Sequence, residues 1–276
     1  MDARTRLRRA VRDPGADPAG VALQVVAFHE RELDVPTTLL RIDALADLVR
    51  TTDGDGRPAD PPADAREVVQ RLQTVLGERL GYRHEDGHER TWTDAYLNVV
   101  LDEHTGLPVT LSALYASVAR RLGVSAFVVN LPGHVVAAAP DGDRHILFDP
   151  FHGGRVLDEA AAADLVQRAT GGRASFSRNM VRPATSVELA RRILNNLTVD
   201  LTRELHPGAA VWTAVAKLAL PDDEPRDHLQ LASLLERSGR WVRAAQAYDR
   251  YLSDHPDAED ADDIRARARH ARSRTN

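Results

Sequence analysis

The chain of 276 residues contains no cysteine. This absence excludes disulfide bonds, thiolate metal sites and a cysteine nucleophile. Long apolar runs are missing as well: the opening stretch, MDARTRLRRAVRDPGADPAG, is charged and contains no hydrophobic segment of the kind found in signal peptides. We therefore expect a protein without a membrane span, located in the cytoplasm.

An excess of positive charge is also missing. The net charge is −5, whereas a protein that binds the nucleic-acid backbone needs a basic face. Lys217 is the only lysine, and the arginines are interleaved with Asp and Glu, which indicates genome composition rather than a binding patch. We expect no nucleic-acid partner, and we interpret the basic run 265–274 as the solvated end of a helix.

The N-terminal part of the sequence predicts helices separated by a loop. Residues 20–51 carry apolar residues at helical spacing and predict two helices broken at Pro36. The segment 52–64, TDGDGRPADPPAD, sustains neither helix nor strand and predicts a surface loop. We treat residues 1–64 as an N-terminal helical lead, after which residues 65–80 resume helix.

The middle of the chain predicts a helix followed by an antiparallel meander. Residues 106–123, GLPVTLSALYASVARRLG, have Pro108 where a first helical turn tolerates it and Gly123 where a helix ends. Three β-like runs follow, SAFVVNL, VVAAA and HILFDP, separated by the turn signals PG and PDGD. Because such short connections join antiparallel strands, we predict an α+β fold for residues 65–185, with a helix packed on a small antiparallel sheet.

Residues 186–276 contain no further strand signal and predict five helices. Within them, the segment 225–256 matches the helix-turn-helix pattern of the tetratricopeptide repeat, which is about 34 residues long. The matching small, glycine and aromatic positions are Ala232, Gly239, Ala244 and Tyr248, whereas His228 and Tyr251 depart from the pattern. One repeat cannot bury its apolar face alone, so we expect the flanking helices to cap it.

The candidate site lies at the ends of two predicted strands. His134 follows a Pro-Gly turn in PGHVV, and Asp149 ends the strand in LFDPF. On neighbouring strands such residues can form a hydrogen bond, and an Asp that orients a His is part of the acid–base machinery of many hydrolases. Two alternatives stay open: the pair is structural, or Asp149 caps the turn that follows it, as Asp before Pro often does.

Five short motifs carry a resemblance to a known family. They are YLNVVL at 96–101, GLPVTLS at 106–112, ARRLG at 119–123, NLPGH at 130–134 and DPFHGG at 149–154. In these motifs the sequence resembles the SirB-type transglutaminase-like family. The resemblance implies a transglutaminase/papain-like core followed by tetratricopeptide-like helices. It also implies that the nucleophilic Cys of active members, counted back from Arg120, corresponds to Pro108, which leaves His134 and Asp149 as a degenerate dyad.

Three further polar residues are candidates for the site. Thr110, near the start of the predicted helix, is a speculative substitute nucleophile. It lies two positions beyond Pro108, about 200° around the helix, so capping or packing is the alternative interpretation. Asn98 and Asn130 are candidate binding residues that fix the loops around a cleft, with turn stabilisation as the alternative.

The histidines do not predict a metal site. His84 and His88 have the i, i+4 spacing that binds metal on a helix, but Gly87 predicts that 83–90 is a polar loop. The other histidines considered as partners are His104, His145 and His152. Because no carboxylate cluster completes a site among them, we expect neither a metal nor a cofactor.

These observations lead to two expectations about function. The first is a cysteine-less, non-catalytic transglutaminase-like protein that binds a protein or peptide through its helices, with a small-molecule ligand also possible. The alternative is an enzyme in which His134 acts as general acid/base, supported by Asp149, in hydrolysis, isomerisation or condensation without a thiol, as part of a biosynthetic pathway. A regulatory role in a cell-envelope or stress system follows from the resemblance alone.

Overall fold

The computed structural model describes residues 2–53, 55–85, 87–222 and 224–274. Two compact units are present, one formed by residues 10–193 and the other by residues 1–9 together with 194–276. No helix within the described ranges is long and apolar enough to cross a bilayer.

The larger unit combines helices with one small sheet. Its helices before the sheet are α1 (Ala3–Arg12, which begins in the other unit), α2 (Pro18–His29), α3 (Val35–Thr51), α4 (Ala65–Arg71), α5 (Leu97–Glu103) and α6 (Pro108–Arg121). The strands are β1 (Phe127–Leu131), β2 (His134–Asp141), β3 (Arg144–Asp149) and β4 (Arg155–Leu157), followed by α7 (Glu159–Thr170). The predicted combination of helices with a small antiparallel sheet is confirmed.

The break between the first two predicted helices lies before Pro36. Helix α2 ends at His29, and α3 begins at Val35, so that Pro36 stands in the first turn of α3. The Asp34 carboxylate accepts hydrogen bonds from the Thr37 N–H (3.1 Å) and hydroxyl (2.7 Å) and caps this turn. The two predicted helices are present, but the break lies before Pro36 and not at it, because proline lacks only an N–H that a first helical turn leaves unpaired.

Helix α6 is the centre of the larger unit. It begins at Pro108, as predicted, and every residue from 109 to 119 is buried. A helix buried all round packs against elements on several sides, here α2, α3, α5 and the sheet. Its buried hydroxyls are satisfied: Ser117 Oγ accepts from the Ala19 N–H (2.8 Å), and Tyr115 donates to the Tyr82 carbonyl (2.7 Å).

The four strands form one antiparallel sheet in the order β1-β2-β3-β4. The strand β4 and the helix α7 were not predicted; β4 has only three residues, too few for an alternating pattern. One face of the sheet packs on α7, and the side chains in this cluster include Val129, Leu131, Val136, Leu147, Ala162 and Val166. Helix α6 packs against β2, where Ser112 Oγ donates to the Val135 carbonyl (3.3 Å).

The predicted helix 65–80 changes its winding halfway. Helix α4 ends at Arg71, and the segment Leu72–Arg79 is a π-helix, which continues into the i→i+5 bond from the Leu80 N–H to the Val75 carbonyl (3.0 Å). A Cβ atom at Gly77 would lie 2.0 Å from the carbonyl oxygen of Gly153. The glycine therefore lets the π-helical backbone lie directly against the turn that follows β3.

The smaller unit is helical, as predicted. Its helices are α8 (Ser186–Glu204, which begins in the larger unit), α9 (Val211–Lys217), α10 (Pro225–Arg237), α11 (Trp241–Asp254) and α12 (Ala261–Ser273). Its core contains Ala232, Ala244, Tyr248, Ile264 and Ala268. Near the N-terminus of the chain, Leu7 is fully buried and Arg8 Nε donates to the Ala219 carbonyl (3.2 Å), which ties residues 1–9 to this unit.

Candidate functional site

The predicted His–Asp contact is present at the end of the sheet. His134 is the first residue of β2, and Asp149 is the last of β3. The register pairs Ala137 with Phe148, so by extension Asp149 stands opposite Val136, two residues from His134 on the same face. His134 Nε2 lies 3.1 Å from each carboxylate oxygen, and both side chains are buried.

The Asp149 carboxylate also caps the turn that follows it. Its Oδ1 accepts from the Phe151 N–H (3.0 Å), at the start of the 3₁₀ turn Pro150–His152. Asp149 is thus both the hydrogen-bond partner of His134 and the cap of the turn, the second of which the sequence had left open as an alternative. Because Asp149 is 1% exposed, these donors replace the water that it loses on folding.

A third side chain, His152, completes the site and was not predicted to belong to it. Its Nδ1 lies 2.7 Å from Asp149 Oδ2, and 54% of the side chain is exposed. The signal was present in the motif DPFHGG, because residues i and i+3 lie above each other in a 3₁₀ turn. In the sequence, His152 was a candidate only as a metal ligand together with distant histidines.

The pKa values in the site follow from the way in which His134 and His152 share the Asp149 carboxylate. Burial alone would raise the pKa of Asp149, but the hydrogen bonds from His134 and His152 outweigh burial and lower the pKa to about 2. The hydrogen bond to Asp149 raises the pKa of His152, against a smaller opposing effect of burial. The site therefore combines a buried anion with a half-exposed imidazole that favours its charged form.

Aromatic rings pack around the three residues. The Phe151 ring meets His134 edge-on at 5.6 Å and stacks on His84 at 4.5 Å. The His84 N–H also donates to the Phe151 carbonyl (2.9 Å). His84, from the predicted polar loop, thus covers the Phe151 side of the site.

The other histidines considered for a metal are engaged elsewhere. His88 hydrogen-bonds to the Asp94 carboxylate (3.0 Å), and His104 Nδ1 lies 2.6 Å from the Leu80 carbonyl. His145 packs edge-on against Phe127. Within the described part of the chain, the group with three ligating atoms close together is instead His134, Asp149 and His152, whose ligating atoms all lie within 4.8 Å of one another.

Thr110 is fully buried in the first turns of α6. Its hydroxyl donates to the carbonyls of Asp94 (2.9 Å) and Leu107 (3.0 Å). This geometry favours the packing interpretation of Thr110, because a nucleophilic hydroxyl needs a base to accept its proton.

The two asparagines are partly buried. Asn98 lies in α5 and Asn130 in β1, and the side-chain oxygen of each finds no hydrogen-bond partner among the described residues. Their binding role stays a prediction.

Comparisons with known proteins give similarities over more than half of the chain. Residues 37–195 match the family model of the transglutaminase-like superfamily. A UPF0162 protein of Xylella fastidiosa is 30% identical over 206 residues, which cover 70% of each chain. A UPF0162 protein of Pseudomonas aeruginosa is 29% identical over 196 residues, 71% of this chain and 67% of that protein.

Two further similarities are more distant. The F-box only protein 21 of Mus musculus is 31% identical over 85 residues, which are 31% of this chain and 14% of that protein. Among solved structures, menin, described with its binding site for the Mixed Lineage Leukemia protein, aligns with 98% of this chain and 69% of its own at 11% identity and a TM-score of 0.44. At that score the likeness to menin carries no argument about fold or partner.

Proposed function

The chain belongs to the transglutaminase-like superfamily, and we propose that within it this protein is a non-catalytic module that binds a protein or peptide. The observation that carries the proposal is the state of Asp149. The carboxylate is buried and already accepts hydrogen bonds from His134, His152 and the Phe151 N–H. Since the chain has no cysteine and Pro108 begins α6, the pair holds the fold together instead of activating a thiol.

The finer classification is part of the same proposal. We place the protein in the SirB-type group on its five motifs, and we interpret α10 and α11 as one tetratricopeptide-like repeat. Supporting the repeat, Ala232, Ala244 and Tyr248 are fully buried, and Gly239 has the positive φ of +73° that favours glycine between the two helices. The departing Tyr251 is buried too, with its hydroxyl donating to Asp260 (2.9 Å).

The binding surface is proposed at the start of α11. A depression of about 540 Å³ there is lined by Arg240, Trp241, Val242, Arg243 and Arg274. The Arg274 guanidinium lies 5.3 Å from the centre of the Trp241 ring, and Val242 is 57% exposed. Guanidinium groups beside an exposed apolar side chain suit an acidic peptide segment with an apolar anchor. We place the protein in the cytoplasm, and its net charge of −5 argues against a nucleic-acid partner.

The test compares partner recovery from extracts of the native host. Arg240→Glu combined with Arg243→Glu should abolish recovery of the partner, because the reversed charges repel an acidic segment. His134→Gln keeps a side-chain N–H for Asp149 and should leave recovery unchanged. Arg269→Glu, an exposed charge reversal on α12, is the matched control. Loss of recovery with His134→Gln in a folded protein would contradict the proposal.

A second candidate function, an enzyme, is favoured by one observation. His152 places a half-exposed imidazole on the same carboxylate as His134, so a proton can be exchanged at the surface. In that case His134, oriented by Asp149, is the general acid/base, and His134→Gln should lower the rate by about 10²–10⁴-fold. The substitutions Arg240→Glu and Arg243→Glu would then leave the activity unchanged.

A further inference from the structure

We propose that His134, Asp149 and His152 form a site for Zn²⁺ with at least one open coordination position. Two imidazoles and one carboxylate are ligands that zinc accepts in proteins, and catalytic zinc sites use three protein ligands with a fourth position left to water or a substrate. The inference goes beyond the proposed function, since it does not depend on whether the helices bind a partner.

The distances around one oxygen carry the proposal. Asp149 Oδ2 lies 3.1 Å from His134 Nε2 and 2.7 Å from His152 Nδ1. With metal–ligand bonds of about 2.0–2.2 Å, the donor atoms of a tetrahedral zinc site stand about 3.3 Å apart. Asp149 Oδ2 therefore needs to move only a few tenths of an ångström away from each imidazole nitrogen to admit an ion, and the three ligating atoms all lie within 4.8 Å of one another.

The remaining hydrogen bonds of the site would support such an ion. Asp149 Oδ1 accepts from the Phe151 N–H, which leaves Oδ2 to act as the ligand while the carboxylate stays oriented. The edge-on contact with Phe151 holds the His134 ring in place. Ligands that are fixed before the ion arrives bind it more tightly, because less freedom is lost on binding.

The ion has a route to the site through His152. His134 and Asp149 are buried, whereas the His152 side chain is 54% exposed and forms the outer side of the cluster. Nearby on α7, Arg168 is paired with the Asp164 carboxylate, which balances its charge. An ion arriving from solvent would therefore meet His152 first and the buried carboxylate behind it.

The experiment uses the full-length, tag-free protein after treatment with EDTA. Calorimetric titration with ZnCl₂ should give saturable binding of one ion per chain, and Co²⁺ should produce the visible absorption of a four-coordinate site. His152→Asn keeps an amide donor for Asp149 but removes an imidazole ligand, and it should weaken Zn²⁺ binding at least about 100-fold. His145→Ala, which removes an exposed histidine of the same sheet, is the matched control and should bind as the wild type does.

Two results would overturn the proposal: no binding by the wild type, or equal affinity in His152→Asn and the wild type. If circular dichroism shows that His152→Asn is unfolded, the wild type decides the question by NMR of its ¹⁵N-labelled histidines. Zn²⁺ should then shift the ring nitrogens of His134 and His152 and leave His145 unchanged. Shifts confined to other histidines would equally refute the site.

Discussion

The Asp149 carboxylate accepts hydrogen bonds from three donors, which are two imidazoles and a backbone N–H. Such a group is costly to bury alone and favourable to bury when every acceptor position is used. Its surroundings explain why the residue lies at the end of a strand and before a proline. The turn supplies the Phe151 N–H, and the neighbouring strand β2 supplies His134. The 3₁₀ geometry of the turn brings His152 onto the carboxylate.

The stability that Asp149 contributes should depend on pH. Because folding lowers its pKa from 3.8 to about 2, the contribution is complete above pH 3.8 and is lost as the pH falls towards 2. The shift corresponds to about 2 kcal/mol. The raised pKa of His152 has the opposite sign, so its contribution is complete below 6.5 and disappears as the pH rises through the raised value.

Urea unfolding in EDTA at pH 2.5, 5 and 8 measures this window. The difference in unfolding free energy between the wild type and Asp149→Asn should be largest at pH 5. Asp164→Asn, at an exposed position of α7, is the control, because an exposed ion pair contributes little to stability. A difference between wild type and Asp149→Asn that stays constant from pH 5 to pH 2.5 would rule out the assigned pKa shift.

Among the elements, the π-helical segment positions the site by close backbone contact. Gly77 allows this segment to lie against Gly153, and Gly154 approaches Gln73 and the Tyr115 ring, with the nearest atoms 3.0–3.1 Å from where a Cβ atom would stand. The turn that carries Phe151 and His152 is thus fixed from outside as well as by Asp149. An ordinary α-helix would point the residues of this segment in other directions, because each of its turns holds fewer residues than a π-helical turn does.

Gly77→Ala should therefore destabilise the protein. The added methyl group would lie 2.0 Å from a carbonyl oxygen of the backbone, which cannot move aside as a flexible side chain does. Overpacking of this kind costs about 1–3 kcal/mol or more. Gly20→Ala, where the nearest atom is 3.8 Å away in α2, is the control and should be neutral or slightly stabilising. Equal melting temperatures for the two variants would refute this role of Gly77.

At the scale of the whole molecule, the larger unit does not end with its sheet. The Ala184 N–H donates to the Val128 carbonyl of β1 (2.8 Å), and Leu189, Ala190 and Ile193 in the first half of α8 are buried. Leu189, Ala190 and Ile193 belong to the larger unit although they lie beyond the predicted boundary at residue 185. The division of the chain into segments 1–64, 65–185 and 186–276 stays a prediction.

Truncation after Arg182 should accordingly give an insoluble or strongly destabilised fragment. It removes the hydrogen bond to β1 and three buried apolar side chains, each of which contributes about 1–3 kcal/mol by burial. The measurement is the soluble yield of the fragment together with its melting temperature by circular dichroism. A soluble fragment that melts like the full chain would contradict the expectation.

The whole chain should also lack acyl transfer through a thiol. It has no cysteine, and the Thr110 hydroxyl is already donated to two carbonyls. Incubation with a glutamine-donor peptide and a labelled primary amine should give no more label transfer than the heat-denatured protein does. Robust transfer by the purified native protein would show that another nucleophile replaces the thiol.

The sequence by itself determined the local parts of this protein. Pro108 and Gly123 mark the ends of the central helix, and the PG and PDGD turns separate the strands, because these residues act through their own backbone geometry. The contact between His134 and Asp149 was predictable for a similar reason, since hairpin register follows from the turns. The absence of a thiol nucleophile follows from the sequence alone, because the chain has no cysteine.

Only the tertiary structure decided how these parts meet. The burial of α6 on all sides, the π-helix against Gly153 and the place of His152 on Asp149 depend on contacts between segments distant in the chain or on an unpredicted turn. Periodicity reports which residues are apolar but not how many neighbours surround them. His152 in particular lies only three residues from Asp149, but it reaches the carboxylate only when the 3₁₀ turn forms, and folding is what buries that carboxylate.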